Sequence, residues 1–175
     1  SSAASDVYKR QLYDFAEGAC RQSMEIRREM LGRNHELTLN SAGYLAYVQT
    51  YRGEHDEAHE LFYMLYEQAR NKPDDVDALH EATYNLAGHY LEVRKKRADA
   101  EPLLREIIDA RESLGDNDEH TLHAVSALAD ILMYDGRYAE SEPYMEWSLE
   151  GWRELYGDEH RWVLMRRNSL GRLLV

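Results

Sequence analysis

The sequence predicts an all-α fold, an open right-handed α-solenoid built from antiparallel helix hairpins. Two sets of positions recur with one period. An apolar-small pair returns at intervals of 41, 42 and 42 residues, and a single small residue returns at intervals of 42, 42 and 41. The pairs are Leu45-Ala46, Leu86-Ala87, Leu128-Ala129 and Leu170-Gly171, and the small residues are Ala16, Ala58, Ala100 and Ser141. A fixed period of this size is typical of repeats that stack on their neighbours.

Residues 120–157 show one repeat unit most clearly. Leu122, Leu128 and their apolar neighbours follow helical spacing, and a second apolar stripe precedes Gly157. Gly136 separates the two stripes, and glycine tolerates the left-handed backbone that ends a helix. The pattern predicts two antiparallel helices joined by a tight turn. We name the first helix of each such hairpin a first-type helix and the second a second-type helix.

The remaining chain is expected to follow the same plan. Residues 1–11 are expected to be a non-native or disordered N-terminal segment outside the repeat. Residues 12–175 are expected to form one repeat domain, with one unpaired helix, three full repeats and one unpaired C-terminal helix. The predicted helices cover about 12–31, 38–51, 56–70, 76–94, 98 onward, 120–134, 139 onward and 161–175.

Three details of these elements are open to test. The first helix should turn Phe15 and Ile26 inward. Pro102 and Pro143 should fall in the first turn of their helices, where a backbone N–H has no partner to lose. The last helix ends on apolar residues in mid-repeat, so we expect association through the region of Leu170, Leu173 and Leu174.

Composition limits the classes of function. The chain has 33 acidic and 21 basic residues, a formal charge of -12, which disfavours a nucleic-acid partner. Cys20 is the only cysteine, which excludes an internal disulfide and fits a reducing compartment. No apolar run is long enough for a membrane span, and no signal-peptide pattern is present. We therefore expect a cytoplasmic protein with no membrane partner.

The motifs resemble tetratricopeptide repeats, in particular the longer repeats of kinesin light chains. The resemblance rests on Leu31-Gly32-Arg33-Asn34-His35, on Tyr84-Asn85-Leu86-Ala87 and on Gly136-Arg137-Tyr138-Ala139-Glu140-Ser141-Glu142-Pro143. It implies a tetratricopeptide-like superhelix. Tyr44 and Ala127 depart from the family pattern, since asparagine is usual at both positions. The period alone would favour a stack of HEAT type, whose repeats run to roughly 40–47 residues.

Catalytic and metal-binding patterns are not found. His55 and His59 are spaced like the histidines of a zinc-protease helix, but Asp56 stands where the catalytic glutamate would be needed. No phosphate-binding loop, nucleophile elbow or paired cysteine motif occurs. We predict no enzyme, no metal and no cofactor.

The resemblance implies a peptide-binding groove lined by first-type helices. Carrying the family's groove positions onto this sequence gives the candidate site residues Asn40, Tyr47, Tyr51, Glu81, Tyr84, Asn85, Glu92, His123, Ser126, Asp130, Tyr134, Asn168 and Arg172. The lysine-and-asparagine clamp by which chaperone-binding relatives hold a terminal carboxylate is not reproduced. Acidic and aromatic residues predominate instead, which favours a basic, extended peptide with apolar anchors.

The predicted function is therefore that of a scaffold that binds a peptide or a partner protein. An alternative is that the repeats are the accessory region of a larger enzyme or signalling protein, such as a bacterial serine/threonine kinase, again by resemblance. Self-association through uncapped repeat ends is a third expectation.

Overall fold

The computed structural model describes residues 2–72, 75–93, 95–112 and 118–173. Within these ranges the chain forms eight α-helices and no β-strand, which confirms the all-α prediction. The helices are α1 (Ser2–Leu31), α2 (Glu36–Arg52), α3 (His55–Arg70), α4 (Val76–Glu92), α5 (Arg97–Glu112), α6 (Glu119–Tyr134), α7 (Tyr138–Tyr156) and α8 (Arg161–Leu173).

The helices group into two compact units, residues 1–89 and residues 90–175, and α4 runs across the division. In the first unit α2 packs against both α1 and α3. In the second unit α6 packs against α5 and α7, and α7 packs against α8. Short turns join α1 to α2, α2 to α3, α6 to α7 and α7 to α8, so these packed pairs are antiparallel. The predicted α2–α3 hairpin therefore lies in the first unit and the predicted α6–α7 hairpin in the second.

The recurring positions of the sequence are core positions in α2 to α7. Leu45, Leu86 and Leu128 are at most 1% exposed, and Ala58 and Ser141 are 0% exposed. In the α6–α7 hairpin the Ser141 hydroxyl donates a hydrogen bond to the Ala129 carbonyl over 2.8 Å. A small residue at this position lets the second-type helix approach the backbone of the first-type helix, which explains why the position stays small in every repeat.

Left-handed residues end two of the first-type helices. Gly53 ends α2 with φ 85°, and Gly136 lies in the turn after α6 with φ 77°. After α4 the same role falls to Lys95, with φ 53°, which is the one described non-glycine residue with a positive φ. The Lys96 N–H then donates to the Tyr90 carbonyl over 2.9 Å, which satisfies one carbonyl at the helix end. Lys95 thus stands where the other turns have glycine, at a steric cost.

Helix α1 differs from its prediction. It begins at Ser2, ten residues before the expected start, so the helix includes residues 2–11. Their expected non-native origin stays a prediction. Phe15 is 77% exposed and Ile26 is 48% exposed, so the inward orientation predicted for them is wrong. In the described part of the chain, α2 is the helix on which α1 chiefly packs.

The two prolines lie deeper in their helices than predicted. Pro102 is the sixth residue of α5 and Pro143 is the sixth residue of α7, beyond the first turn. The carbonyls of Ala98 and Ala139, four residues earlier, cannot receive the usual helical hydrogen bond, because proline has no N–H. Both helices accommodate this loss near their N-terminal ends.

The C-terminal helix α8 ends at Leu173. Leu170 is half-buried, whereas the side chain of Leu173 and all of Leu174 lie outside the described residues. The expected association through this region therefore stays a prediction.

An aromatic cluster joins α6, α7 and α8 in the second unit. The His123 ring meets Trp152 edge-on with centroids 4.9 Å apart and meets Trp162 edge-on at 5.1 Å. The Trp152 indole N–H donates to the Ser126 hydroxyl over 3.2 Å. Burial lowers the pKa of His123 below its usual 6.5, although Glu119, 3.7 Å away, acts in the opposite direction. The neutral imidazole is therefore the form that the folded chain prefers.

The backbone strain at Lys95 predicts a stabilising substitution. A left-handed backbone conformation destabilises a residue that has a side chain by on the order of 1 kcal/mol. Glycine, which has no side chain, avoids this steric penalty. Lys95→Gly should raise the free energy of unfolding in urea by up to about 1 kcal/mol, after the larger unfolded-state entropy of glycine is subtracted. Lys96→Gly, at a neighbour without positive φ, should lower it. Equal effects of the two substitutions would contradict the strain argument.

The His123 cluster predicts a pH dependence of stability. The folded pKa lies below the unfolded value of about 6.5, so between the two values the unfolded chain binds the proton that the folded chain does not. The free energy of unfolding should therefore fall as the pH drops below about 6.5, and the contribution should be complete above it. His123→Phe keeps an aromatic ring but cannot titrate. Urea denaturation at several pH values should show that the free energy of unfolding falls less at acid pH in His123→Phe than in the unsubstituted chain. Parallel pH profiles of the two proteins would contradict the assignment.

Candidate functional site

The first unit contains a groove between two first-type helices. It is a cavity of about 460 Å³ with α2 on one side, α4 on the other, and α3 and the turn after it along the floor. Tyr44 and Tyr47 line it from α2, and Glu81 and Asn85 line it from α4. Its walls are first-type helices, the elements that were expected to line a peptide groove.

A hydrogen bond crosses this groove. The Tyr47 hydroxyl donates to the Asn85 side-chain oxygen over 2.6 Å, and the Tyr47 ring also packs edge-on against Phe62 with centroids 5.4 Å apart. The bond uses the oxygen of the Asn85 amide, so the NH₂ group is the part that can donate to a ligand. Tyr47 therefore forms part of the groove wall and orients the side-chain amide of Asn85.

The groove carries an excess of negative charge. The carboxylates of Glu36, Asp75 and Glu81 line it, against the single ammonium group of Lys72 in the same lining. Asp75 has a second role, since its carboxylate accepts a hydrogen bond from the Ala78 N–H over 3.1 Å at the start of α4. The side chain of Asp75 therefore caps the N-terminus of α4. A cationic side chain would meet favourable charge here.

Four of the predicted site residues lie together in this groove: Asn40, Tyr47, Glu81 and Asn85. Tyr44 and Glu36 also line the groove but were not predicted. Their spacing of four residues on either side of Asn40 places them on the same face of α2, and this signal was available in the sequence.

Three other predicted residues of this region lie outside the groove lining. Tyr51 stacks on Tyr13 with centroids 5.8 Å apart, one turn beyond Tyr47 along α2. Tyr84 stacks on His80 at 6.2 Å. Glu92 is exposed at the last position of α4 and belongs to the second unit.

In the second unit, Asp130 is engaged in an internal ion pair. Its two carboxylate oxygens accept hydrogen bonds from Arg166 over 2.8 Å and 3.0 Å, and Arg166 is only 5% exposed. His123 and Ser126 likewise contact the tryptophans of the aromatic cluster. These three predicted residues hold α6, α7 and α8 together, which sequence spacing alone did not reveal.

The last predicted residues are more accessible. Tyr134 is 70% exposed, with the guanidinium group of Arg97 over its ring, 5.9 Å from the centroid. Asn168 and Arg172 are exposed on α8. Their role in binding stays a prediction.

The described residues contain no second candidate site of the kinds considered in the sequence. Among them, no group of three or more His, Cys, Asp or Glu side chains could hold a metal ion. His59, from the pair of histidines noted in the sequence, stacks its ring on His89 at 5.7 Å. None of the described helices combines the length and apolarity that a bilayer crossing requires.

Solved structures share this fold, and 46 chains match. A single-substitution variant of a Podosopora anserina protein, described as a kinesin light chain with nearly identical TPR-like repeats, is 19% identical with a TM-score of 0.79. That match covers 98% of this chain and 82% of that chain. The unsubstituted protein is 18% identical, with a TM-score of 0.77 and the same coverage of 98% and 82%.

BtubC (BKLC) from P. vanneervenii is 19% identical with a TM-score of 0.74. The match covers 92% of this chain and 65% of BtubC, so the chain spans slightly less than two thirds of that protein. At these identities the likeness establishes the fold. A search of the curated proteins finds no match.

The sequence itself matches a family model. The model of the tetratricopeptide repeat matches residues 2–71 and 121–175, which is well over half of the chain. With the kinesin light chain-like structures, this match confirms the resemblance seen in the motifs and decides against a stack of HEAT type. The chain belongs to the tetratricopeptide repeat family.

Proposed function

We propose that the chain binds a basic, extended segment of a partner protein in the groove between α2 and α4. Tetratricopeptide repeats are in general scaffolds for protein–protein interaction, and the specific ligand and site are our proposal. The observation that carries it is the composition of the groove lining, in which two tyrosines and an oriented amide accompany three carboxylates and one ammonium group.

The tyrosines supply the apolar part of the proposed site. Tyr44 is 66% exposed and Tyr47 is 43% exposed, and both line the groove. An aromatic ring can pack against an aliphatic side chain, or hold a lysine or arginine over its face for roughly 1 kcal/mol. The proposed ligand therefore alternates cationic and apolar side chains.

The amides supply the polar part. Asn40 and Asn85 line the groove from opposite sides, on α2 and α4. The NH₂ group of Asn85 can donate to a backbone carbonyl of an extended ligand, which recognises the main chain whatever its side chains. The amides would thus bind the peptide backbone, and the carboxylates and rings would select among sequences.

The second unit contributes less to this proposal than the sequence suggested. Asp130 is neutralised by Arg166, and His123 and Ser126 pack in the aromatic cluster. We therefore leave these three residues out of the proposed binding surface. The accessory role in a larger enzyme stays a prediction, and it is compatible with the same groove.

Reversing the charge of the groove should reverse its preference. From a displayed library of random short peptides, the unsubstituted chain should select sequences rich in lysine and arginine, and their binding should weaken with added salt. Glu36→Lys with Glu81→Lys should abolish this selection, because two carboxylates of the lining become cations. Circular dichroism should show unchanged helicity.

The matched control for this experiment is Glu57→Lys with Glu60→Lys. Both residues are exposed on α3 and lie outside the groove lining, so the change in net charge is the same. The control should still select basic peptides. Selection of acidic peptides by the unsubstituted chain, or equal loss in both double variants, would refute the charge argument.

Removing one ring should weaken binding of a selected basic peptide. Tyr44→Ala removes an exposed aromatic side chain of the lining and should reduce the affinity by about fivefold, or roughly 1 kcal/mol. Tyr63→Ala is the control, because Tyr63 is 48% exposed on α3 outside the lining. Fluorescence anisotropy with a labelled peptide would measure both, and equal affinities for the two variants would argue against an aromatic anchor in the groove.

A further inference from the structure

The lining of the groove between α2 and α4 reaches as far as the hydrogen bond between Tyr47 and Asn85. All other lining residues of α2 and α4 come earlier in each helix, so the two helices run in the same direction. One turn beyond this bond lie Tyr51 on α2 and Gly88 on α4. These two residues are therefore level with each other, just past the lining.

Tyr51 and Gly88 continue the groove-facing sides of their helices. Tyr51 follows Tyr44 by seven residues and Gly88 follows Glu81 by seven, which is about two helical turns in both cases. Glycine has no side chain, and a Cβ placed on Gly88 would meet no neighbouring atom of the described residues within 4 Å. An extended ligand therefore has room to continue past the Tyr47–Asn85 bond.

Tyr51 offers a flat aromatic surface in this continuation. Its ring stacks on that of Tyr13, with centroids 5.8 Å apart and an angle of 6° between the planes, and Tyr51 is 69% exposed. The exposure belongs to the repeat position, because Tyr134 at the corresponding position of α6 is 70% exposed. Stacking on Tyr13 already orders the Tyr51 ring, so less side-chain entropy is lost when a ligand packs on it.

The carboxylates near Tyr51 are already paired with arginine. Arg52 forms ion pairs with Asp14 over 3.2 Å and with Glu54 over 3.0 Å, and it also pairs with Glu17. A cationic side chain of a ligand would have to displace a guanidinium group here, whereas an apolar side chain need only pack on the ring. This end of the groove therefore favours an apolar side chain, in contrast to the acidic lining.

We propose that the ligand of the groove places a basic side chain at Glu81 and, three residues away, an apolar side chain on Tyr51. This inference rests on the proposed function and specifies the ligand that the groove selects. The two levels are two helical turns, or about 10.5 Å, apart. A segment in the polyproline II conformation advances about 9 Å in three residues and returns its side chains to the same side. A β-strand places residues three apart on opposite sides and fits less well.

Between the two anchors the ligand crosses the Tyr47–Asn85 bond. The NH₂ group of Asn85 can donate to a ligand carbonyl at this point. The polyproline II backbone makes no internal hydrogen bonds, so its carbonyls are available to such a donor. The recognised motif is therefore a basic residue, two residues recognised through their backbone, and an apolar residue.

Peptides of varied spacing test this register. Each labelled peptide carries one lysine and one tryptophan, separated by zero to four serine residues, in both chain orders, and fluorescence anisotropy gives its affinity. The tightest binding should occur with two intervening serines. Replacing these two serines by prolines should strengthen binding further, because proline presets the polyproline II conformation and lowers the entropy lost on binding.

Substitutions at Tyr51 test the apolar anchor. Tyr51→Ala should weaken binding of the best lysine–tryptophan peptide by about fivefold, and should leave unchanged the binding of the same peptide with serine in place of tryptophan. Tyr51→Phe keeps the ring and should bind like the unsubstituted chain. The effect of Tyr51→Ala should persist at high salt, since the contact carries no charge. Tyr134→Ala, which removes an equally exposed ring in the second unit, is the matched control and should bind normally.

Gly88→Leu tests the open space from the opposite wall. The leucine side chain should obstruct the tryptophan and weaken binding of the tryptophan peptide more than that of the serine peptide. Leucine is a better helix former than glycine, so this loss would not come from an unfolded α4. Circular dichroism should confirm the helicity of every variant.

The outcomes separate this inference from the proposed function. If basic peptides bind but the affinity does not depend on spacing, or peaks at another spacing, the anchor on Tyr51 is overturned and the acidic groove stands. Equal losses in Tyr51→Ala and Tyr134→Ala would overturn it as well. If no basic peptide binds the unsubstituted chain, the proposed function fails and the anchor fails with it.

Discussion

Close contact between first-type and second-type helices through small residues is the constraint on which the rest of the structure depends. Ser141 and Ala129 are 0% exposed and share a hydrogen bond of 2.8 Å between a hydroxyl and a backbone carbonyl. A larger side chain at either position would separate the helices and open the apolar rows beside them. Because Ala58 also stays small and buried, the hairpin of the first unit closes in the same way. That closure lets α3 form the floor of a groove whose walls are α2 and α4.

The acidic residues of this chain do not share one role, although they lie on helices of one period. Glu81 faces the groove, whereas Glu101 accepts a hydrogen bond from Arg137 over 2.7 Å, and this contact lowers the pKa of its carboxyl group. Asp130 is held by Arg166. Net charge therefore describes the long-range attraction for a cation, but packing decides which carboxylates are available to a partner.

The repeat spacing predicted the helices and their buried positions, because those depend on local periodicity that every repeat shares. The predicted inward orientation of Phe15 and Ile26 was wrong. An apolar stripe shows that a helix has an apolar face, but it does not show that a neighbouring helix covers that face. The pairing of Asp130 with Arg166 joins residues 36 positions apart on different helices, which no spacing rule identifies. Tyr44 was predictable from the sequence, because it lies four residues after Asn40 on the same face of α2.

The Asp130–Arg166 pair limits how far the hairpins can be treated as interchangeable modules. Arg166 is 5% exposed at the position where α6 has Ala124, which is 0% exposed. A guanidinium group so deeply placed depends on its carboxylate, and removing one partner of such a pair leaves a buried charge without compensation. Gene duplication or laboratory shuffling that moved α8 behind a different hairpin would have to carry Asp130 with it. Helix α8 therefore depends on a specific side chain of α6 in a way that the period alone does not suggest.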